Sequence, residues 1–201
     1  MNKPVVGLTG TLGSGKSLAA QMMRDRGACI VDMDQVGKWV VDHDPIVRTE
    51  LQRVFGADIF DAEGRLRRSE LAQIVFNDTE ALARLNAAVH PAMVSRAVQE
   101  VEKAKGLGCR CVVVDAALLF ELGFERYCDL TVFVDAPLQV CLERAVRFKG
   151  FSREQALARI SAQWPAERKR AMADRVLDNS GSSADLERQV DELMDYICKN
   201  F

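Results

Sequence analysis

The chain has 201 residues, with 27 basic and 29 acidic side chains and a formal charge of −2. Hydrophobic residues make up 48% and charged residues 28%, which excludes a disordered, collagenous or low-complexity chain. The near-zero charge argues against a protein whose whole surface serves nucleic acid, and no apolar run approaches the ~18 residues of a membrane span.

Residues 5–9 form a short apolar run, predicted as a buried strand. A glycine-rich turn follows at 10–17. A helix over 18–26 places Leu18, Met22 and Met23 on one face, and Gly27 stops it. Residues 29–32 are a second strand. A helix begins over 35–41, and Pro45 starts the next at its first position. Asp61-Ala62-Glu63-Gly64 reads as a turn. Asp78 caps a long helix carrying Leu82, Leu85, Val89, Met93 and Val101, with a bend at Pro91. Residues 111–114 and 130–134 are apolar strands ending in Asp115 and Asp135. A helix covers 137–148, and Ser152 with Gln155 forms a capping box for another. Residues 175–177 are a last strand, and Ser182 or Ser183 opens a C-terminal helix.

Strands separated by helices imply an α/β fold, a parallel sheet covered on both faces. Ligands of such sheets sit beyond the carboxyl ends of the strands. Residues 10–17, 32–34, 115–121 and 135 fall there. The length suits one domain. The start does not read as a signal sequence, because Gly7 and polar residues interrupt its apolar run. The six cysteines form no C-x-x-C pair and there are two histidines, which speaks against zinc. A reduced, cytoplasmic enzyme is the expectation.

The stretch G-T-L-G-S-G-K-S at 10–17 matches G-x-x-x-x-G-K-[ST], a P-loop. Its glycines let backbone N–H groups face phosphate oxygens, and the following helix adds its positive end. Lys16 reaches the β- and γ-phosphates, and the Ser17 hydroxyl can ligate Mg²⁺. The ATP-binding residues are therefore Thr11, Leu12, Gly13, Ser14, Gly15, Lys16, Ser17 and Leu18. No guanine-reading N-K-x-D is present. A small-molecule kinase fits the length better than a switch or a motor.

Such a kinase needs a base for its acceptor. Val31-Asp32-Met33-Asp34 places two carboxylates past the second strand, and in extended backbone residues two apart point the same way. The strand ending at Asp115 has the form that holds a Mg²⁺-bound water. Residues 144–175 carry nine basic and three acidic side chains, so the segment is +6. It reads as short helices broken at Gly150 and Pro165, a positive lid over phosphates, with Arg144 as its leading phosphate contact.

Taken together, these residues resemble the dephospho-CoA kinase family over nearly the whole chain. The matching pieces are G-L-T-G at 7–10 leading into G-S-G-K-S, D-M-D at 32–34 and G-R-L-R-R at 64–68. They continue with Leu85-Asn86, His90-Pro91, L-L-F-E at 118–121, R-I-S-A-Q at 159–163 and L-D-N-S-G at 177–181.

The resemblance implies a reaction in which ATP phosphorylates the ribose 3′-hydroxyl of dephospho-CoA, giving CoA and ADP. Small molecules are then the partners, with no nucleic acid and no membrane. It implies a P-loop core at about 1–34, 108–143 and 174–201, a helical CoA-binding region at about 35–107, and a lid at about 144–173. Asp34 would be the base, with Asp32 beside it. Lys16 and Arg144 would stabilise the transferred phosphoryl. Arg68, His90, Leu118, Leu119 and Glu121 would line the acceptor, and Asp178 and Asn179 would lie near the adenine. Thr11 stands where the family has a second glycine, Met33 replaces Ala and Ala117 replaces Pro. The family's lid reads R-x-x-x-R. Here Phe148 holds the second position and Arg147 sits one residue early, a rotation of about 100° on a helix.

Overall fold

The structure, a computed structural model, describes residues 3–76 and 78–201. Met1 and Asn2, at the head of the start discussed above, and Asn77 lie outside the described residues. In chain order the elements begin with β1 (Val5–Gly10), α1 (Lys16–Asp25), β2 (Cys29–Asp32), α2 (Met33–His43), α3 (Pro45–Phe55), α4 (Arg68–Phe76) and α5 (Thr79–Lys105). They continue with β3 (Val112–Asp115), β4 (Leu130–Asp135), α6 (Leu138–Lys149), α7 (Arg153–Ser161), α8 (Ala166–Met172), β5 (Arg175–Asp178) and α9 (Ser183–Asn200). The chain divides into two compact units, one ending at Asp32 and resuming at Glu100, the other Met33–Gln99.

In the first unit the strands run β2-β3-β1-β4-β5, all parallel. β1 is central and buried along its whole length, as a strand covered on both faces must be. On one face Val6, Leu8, Val113, Val132 and Val134 pack against Ala19 and Met23 of α1 and Leu186, Val190, Met194 and Ile197 of α9. Each large side chain fully buried there contributes about 1.5–3 kcal/mol. α8 also packs against β4. A smaller cluster joins α6 to α7 through Leu142, Ala145 and Ala156, with Leu12 and Ile160 against it.

Local chemistry sets the ends of these elements. Gly27 takes a φ of 92° just past α1, a conformation that favours glycine. The Ser152 capping box opens α7, and a second one, Ser182 with Asp185, opens α9. Asp174 Oδ2 accepts from the Thr131 amide at 2.8 Å and the Thr131 hydroxyl at 2.7 Å, tying the segment before β5 to β4.

The second unit is helical. Asp44 caps α3 by accepting from the Ile46 and Val47 amides at 2.9 and 3.2 Å, with Pro45 in the first turn. Residues 61–64 make the expected turn, with Gly64 at φ 74° between the bridged Phe60 and Leu66. Asp78 Oδ1 accepts from the Glu80 and Ala81 amides at 2.8 and 2.9 Å, capping α5. Pro91 lies inside α5, which runs unbroken to Lys105. The Arg96 guanidinium sits 3.7 Å from the centre of the Trp39 ring.

One departure from the sequence reading bears on the site. α2 starts at Met33, directly after β2, not at Gln35. Met33, Val36 and Val40 are buried at helical spacing, and that stripe outweighs any short connecting loop. Asp32 therefore ends a strand while Asp34 lies in the first turn of a helix. The strand-alternation argument for these two carboxylates does not hold.

Candidate active site

The phosphate loop leaves the end of central β1 and enters α1. Gly13 and Gly15 have φ of 83° and 96°, backbone that glycine adopts without strain. Thr11 keeps out of that region, as does every other described non-glycine residue, so the loop accommodates it. Gly10 is required by space as well, since a Cβ there would lie 2.8 Å from the Val134 carbonyl oxygen. Gly15 caps α1 without any side-chain hydrogen bond. The Leu18 and Ala19 amides donate to the Gly15 carbonyl at 2.9 and 3.0 Å, so the amides ahead of them are the ones this helix start presents to an anion.

Behind the loop stands Asn179. It is 3% exposed, and its side-chain amide donates to the Ser14 carbonyl at 2.7 Å. Its own N–H donates to the Asp135 carbonyl at 2.8 Å, and its carbonyl accepts from Arg144 Nη1 at 3.0 Å. A Cβ on Gly15 would collide with this amide and lie 4.0 Å from Arg144 Nη1. Arg144 is therefore at the loop. The Asn179 side chain braces the loop from behind. Asp178 keeps an exposed carboxylate. The Ser180 amide donates to it at 2.8 Å, and the Ser180 hydrogen bonds hold this carboxyl below its usual range.

Lys16 forms an ion pair with Asp115, the last residue of β3. Asp115 is paired in register with Asp32 at the end of β2, so two carboxylates stand side by side on neighbouring strand ends. Ser17 follows in the first turn of α1, with its side chain exposed. These are oxygen donors, the kind Mg²⁺ prefers. Among the described residues no group of three or more His, Cys, Asp or Glu could hold a metal alone.

The loop after β3 is less open than the sequence suggested. Leu119 is fully buried, and a Cβ on Gly7 would lie 2.8 Å from its Cδ2. Leu119 thus serves the core beside β1, correcting its expected place in an acceptor lining, while Leu118 stays half-buried. Glu121 Oε1 accepts from the Trp164 amide at 2.9 Å and from Lys169 Nζ at 2.7 Å. Both contacts are internal to the protein.

In the second unit Asp34 is exposed on α2. Arg68 Nη2 donates to Asp42 Oδ1 at 2.7 Å and to the Lys38 carbonyl at 3.5 Å. His90 is half-buried on α5, and burial lowers its imidazole pKa below the usual value.

The basic segment at 144–175 is also less available than its charge implies. Lys169 is completely buried, and Arg170 pairs with Asp135 at 2.8 Å. Arg159 lies over Phe151, and Arg168 sits 3.3 Å from the centre of the Trp164 ring. Arg175 belongs to β5 and covers Tyr196. Arg147 rests 5.1 Å from the centre of the Phe148 ring, which is 70% exposed. Sequence reasoning gave no role to Gln163, whose Oε1 accepts from the Leu12 amide of the phosphate loop at 3.3 Å. Its place in the R-I-S-A-Q stretch was the available signal. A cavity of about 750 Å³ adjoins Thr11, bounded by Pro137, Leu138, Gln163, Trp164 and Asp178.

Residues 4–185 match a family model described as dephospho-CoA kinase. A relative from Corynebacterium diphtheriae, named dephospho-CoA kinase, is 40% identical over 189 residues, 94% of each chain. A Thermus thermophilus protein of known crystal structure superposes with a TM-score of 0.80 at 36% identity, covering 98% of both chains. The dephospho-CoA kinase from Campylobacter jejuni superposes with a TM-score of 0.72 at 22% identity, covering 97% of both, and shows the shared fold.

Proposed function

The chain belongs to the dephospho-CoA kinase family, and from that membership we infer its reaction and the roles of its residues. It transfers the γ-phosphoryl of ATP to the ribose 3′-hydroxyl of dephospho-CoA, giving CoA and ADP. The observation that carries this reading is the glycine-shaped loop at the end of the central strand. Lys16 stands in it, with Asp115 and Asp32 on the adjoining strand ends.

Phosphoryl transfer is mostly positioning and charge stabilisation. The α1 amides and Lys16 hold the β- and γ-phosphates. Arg144, hydrogen-bonded to the Asn179 carbonyl and close to Gly15, stabilises charge on the transferred group; its nearness to the loop supports this role. Asp34 takes up or orients the 3′-hydroxyl proton, with Asp32 beside it in sequence. Ser17 and Asp115 would hold Mg²⁺, which would neutralise phosphate charge when bound. Arg68, His90 and Leu118 serve the acceptor, and Asp178 the nucleotide's adenosine end. The enzyme works in the cytoplasm; of its thiols, those of Cys111 and Cys141 are buried and that of Cys198 is exposed. Burial pushes Cys111 and Cys128 up to about 12 and Cys141 to about 11.

An ADP-release assay over a panel of acceptors tests this reading. Turnover is expected with dephospho-CoA. Turnover with nucleoside monophosphates and none with dephospho-CoA would assign the chain to another small-molecule kinase activity.

A further inference from the structure

Lys169, on α8, is completely buried. Its ammonium donates to Glu121 Oε1 and to the Ala117 carbonyl, each at 2.7 Å. The same Glu121 oxygen accepts the Trp164 amide at 2.9 Å, while Glu121 Oε2 is buried without a partner. Burying two charges costs about as much as their attraction returns, and apolar replacement of such pairs is often neutral. The unpartnered oxygen adds to that cost. Net stability is therefore a poor account of the pair.

The pair does supply position. It joins two segments that flank the phosphate loop. One is the loop following Asp115, which carries Leu118 and whose Ala117 carbonyl also accepts from the Thr9 hydroxyl at 3.3 Å. The other is the link between α7 and α8, where Gln163, next to Trp164, accepts the Leu12 amide at 3.3 Å. A path of hydrogen bonds, joined by the chain itself between Gln163 and Trp164, thus runs from the phosphate loop to Glu121, Lys169 and Ala117. Such a path can transmit coupling only if both ends bias it.

We propose that Glu121 and Lys169 are positioning residues, a strut that couples nucleotide binding to acceptor binding so that each substrate tightens the other. This inference rests on the kinase reading above. Coupling of this kind is reciprocal.

The test is a calorimetric titration of dephospho-CoA, with and without a saturating non-hydrolysable ATP analogue and Mg²⁺. In the unmodified enzyme the analogue is expected to tighten dephospho-CoA by about fivefold or more. In Lys169→Met/Glu121→Gln, which removes both charges but keeps an acceptor for Trp164, that ratio falls to about one. Binding of dephospho-CoA alone stays within about twofold. A merely structural role would weaken binding in both titrations and leave the ratio intact. Should the double variant fail to fold, Glu121→Gln alone serves, with a reduced ratio expected. An unchanged ratio in a folded variant, or a ratio of one in the unmodified enzyme, overturns the strut. Failure of the unmodified enzyme to produce CoA overturns instead the reading on which the strut rests.

Discussion

Asp34 sits in the first turn of α2, and the account gives it the acceptor's proton. Asp34→Asn is then expected to lower kcat by about 10²-fold or more while ATP binding, measured by titration, persists. A retained kcat would remove Asp34 as the base. Arg144 lies against the phosphate loop through the Asn179 carbonyl. If it acts on the transition state, Arg144→Ala lowers kcat more than it raises the KM for ATP. A pure KM effect would place it in ground-state binding. Gly7 shows why a motif residue is needed without touching substrate. A Cβ there would lie 2.8 Å from both Leu119 Cδ2 and Cys128 Sγ. Gly7→Ala is expected to cost about 1–3 kcal/mol in chemical denaturation. Equal stability would mean that the Leu119 loop yields freely. Lys16, Ser17 and the loop glycines were legible from the sequence because motif spacing encodes their backbone geometry. The internal engagements of Leu119, Glu121 and Asn179 were not, because a side chain's partner depends on long-range packing that spacing does not encode.

At the scale of elements, caps and breakers were the readable features. Gly27, Pro45, Asp78 and Ser152 each mark a boundary where the sequence placed it, since each acts on backbone within a few residues. The β2–α2 junction was misread because burial of Met33 draws the helix back to the strand end. Asp174 joins β4 to the segment before β5 through both Thr131 hydrogen bonds, which hold its carboxyl below the usual value of 3.8. A lowered folded-state pKa means stability that is fully present above pH ~4 and is lost as pH falls through the folded value. Melting temperature followed from pH 6 down to about pH 2 should therefore fall less steeply at the acid end in Asp174→Asn than in the unmodified protein. Parallel acid limbs would show that this contact does not stabilise the sheet edge.

For the molecule as a whole, strands alternating with helices announced the parallel sheet. The order β2-β3-β1-β4-β5 places the phosphate loop at the end of the central strand. The net charge of −2 concealed a basic segment at 144–175, yet the fold turns much of that charge inward or onto aromatic rings. Lys169 is the extreme case, a charge counted toward a phosphate lid that is buried on Glu121. From that segment Arg144 reaches the phosphate loop through the Asn179 carbonyl, and Gln163 accepts the Leu12 amide. All of this serves one claim, that the site directs phosphate to a single hydroxyl. The most direct measurement is the position of the new phosphate after incubation with ATP, Mg²⁺ and dephospho-CoA, read by phosphorus NMR. The account predicts a 3′-phosphomonoester and no turnover of the 3′-deoxy analogue. A phosphate at the 2′-position, or undiminished turnover of the 3′-deoxy analogue, would contradict it.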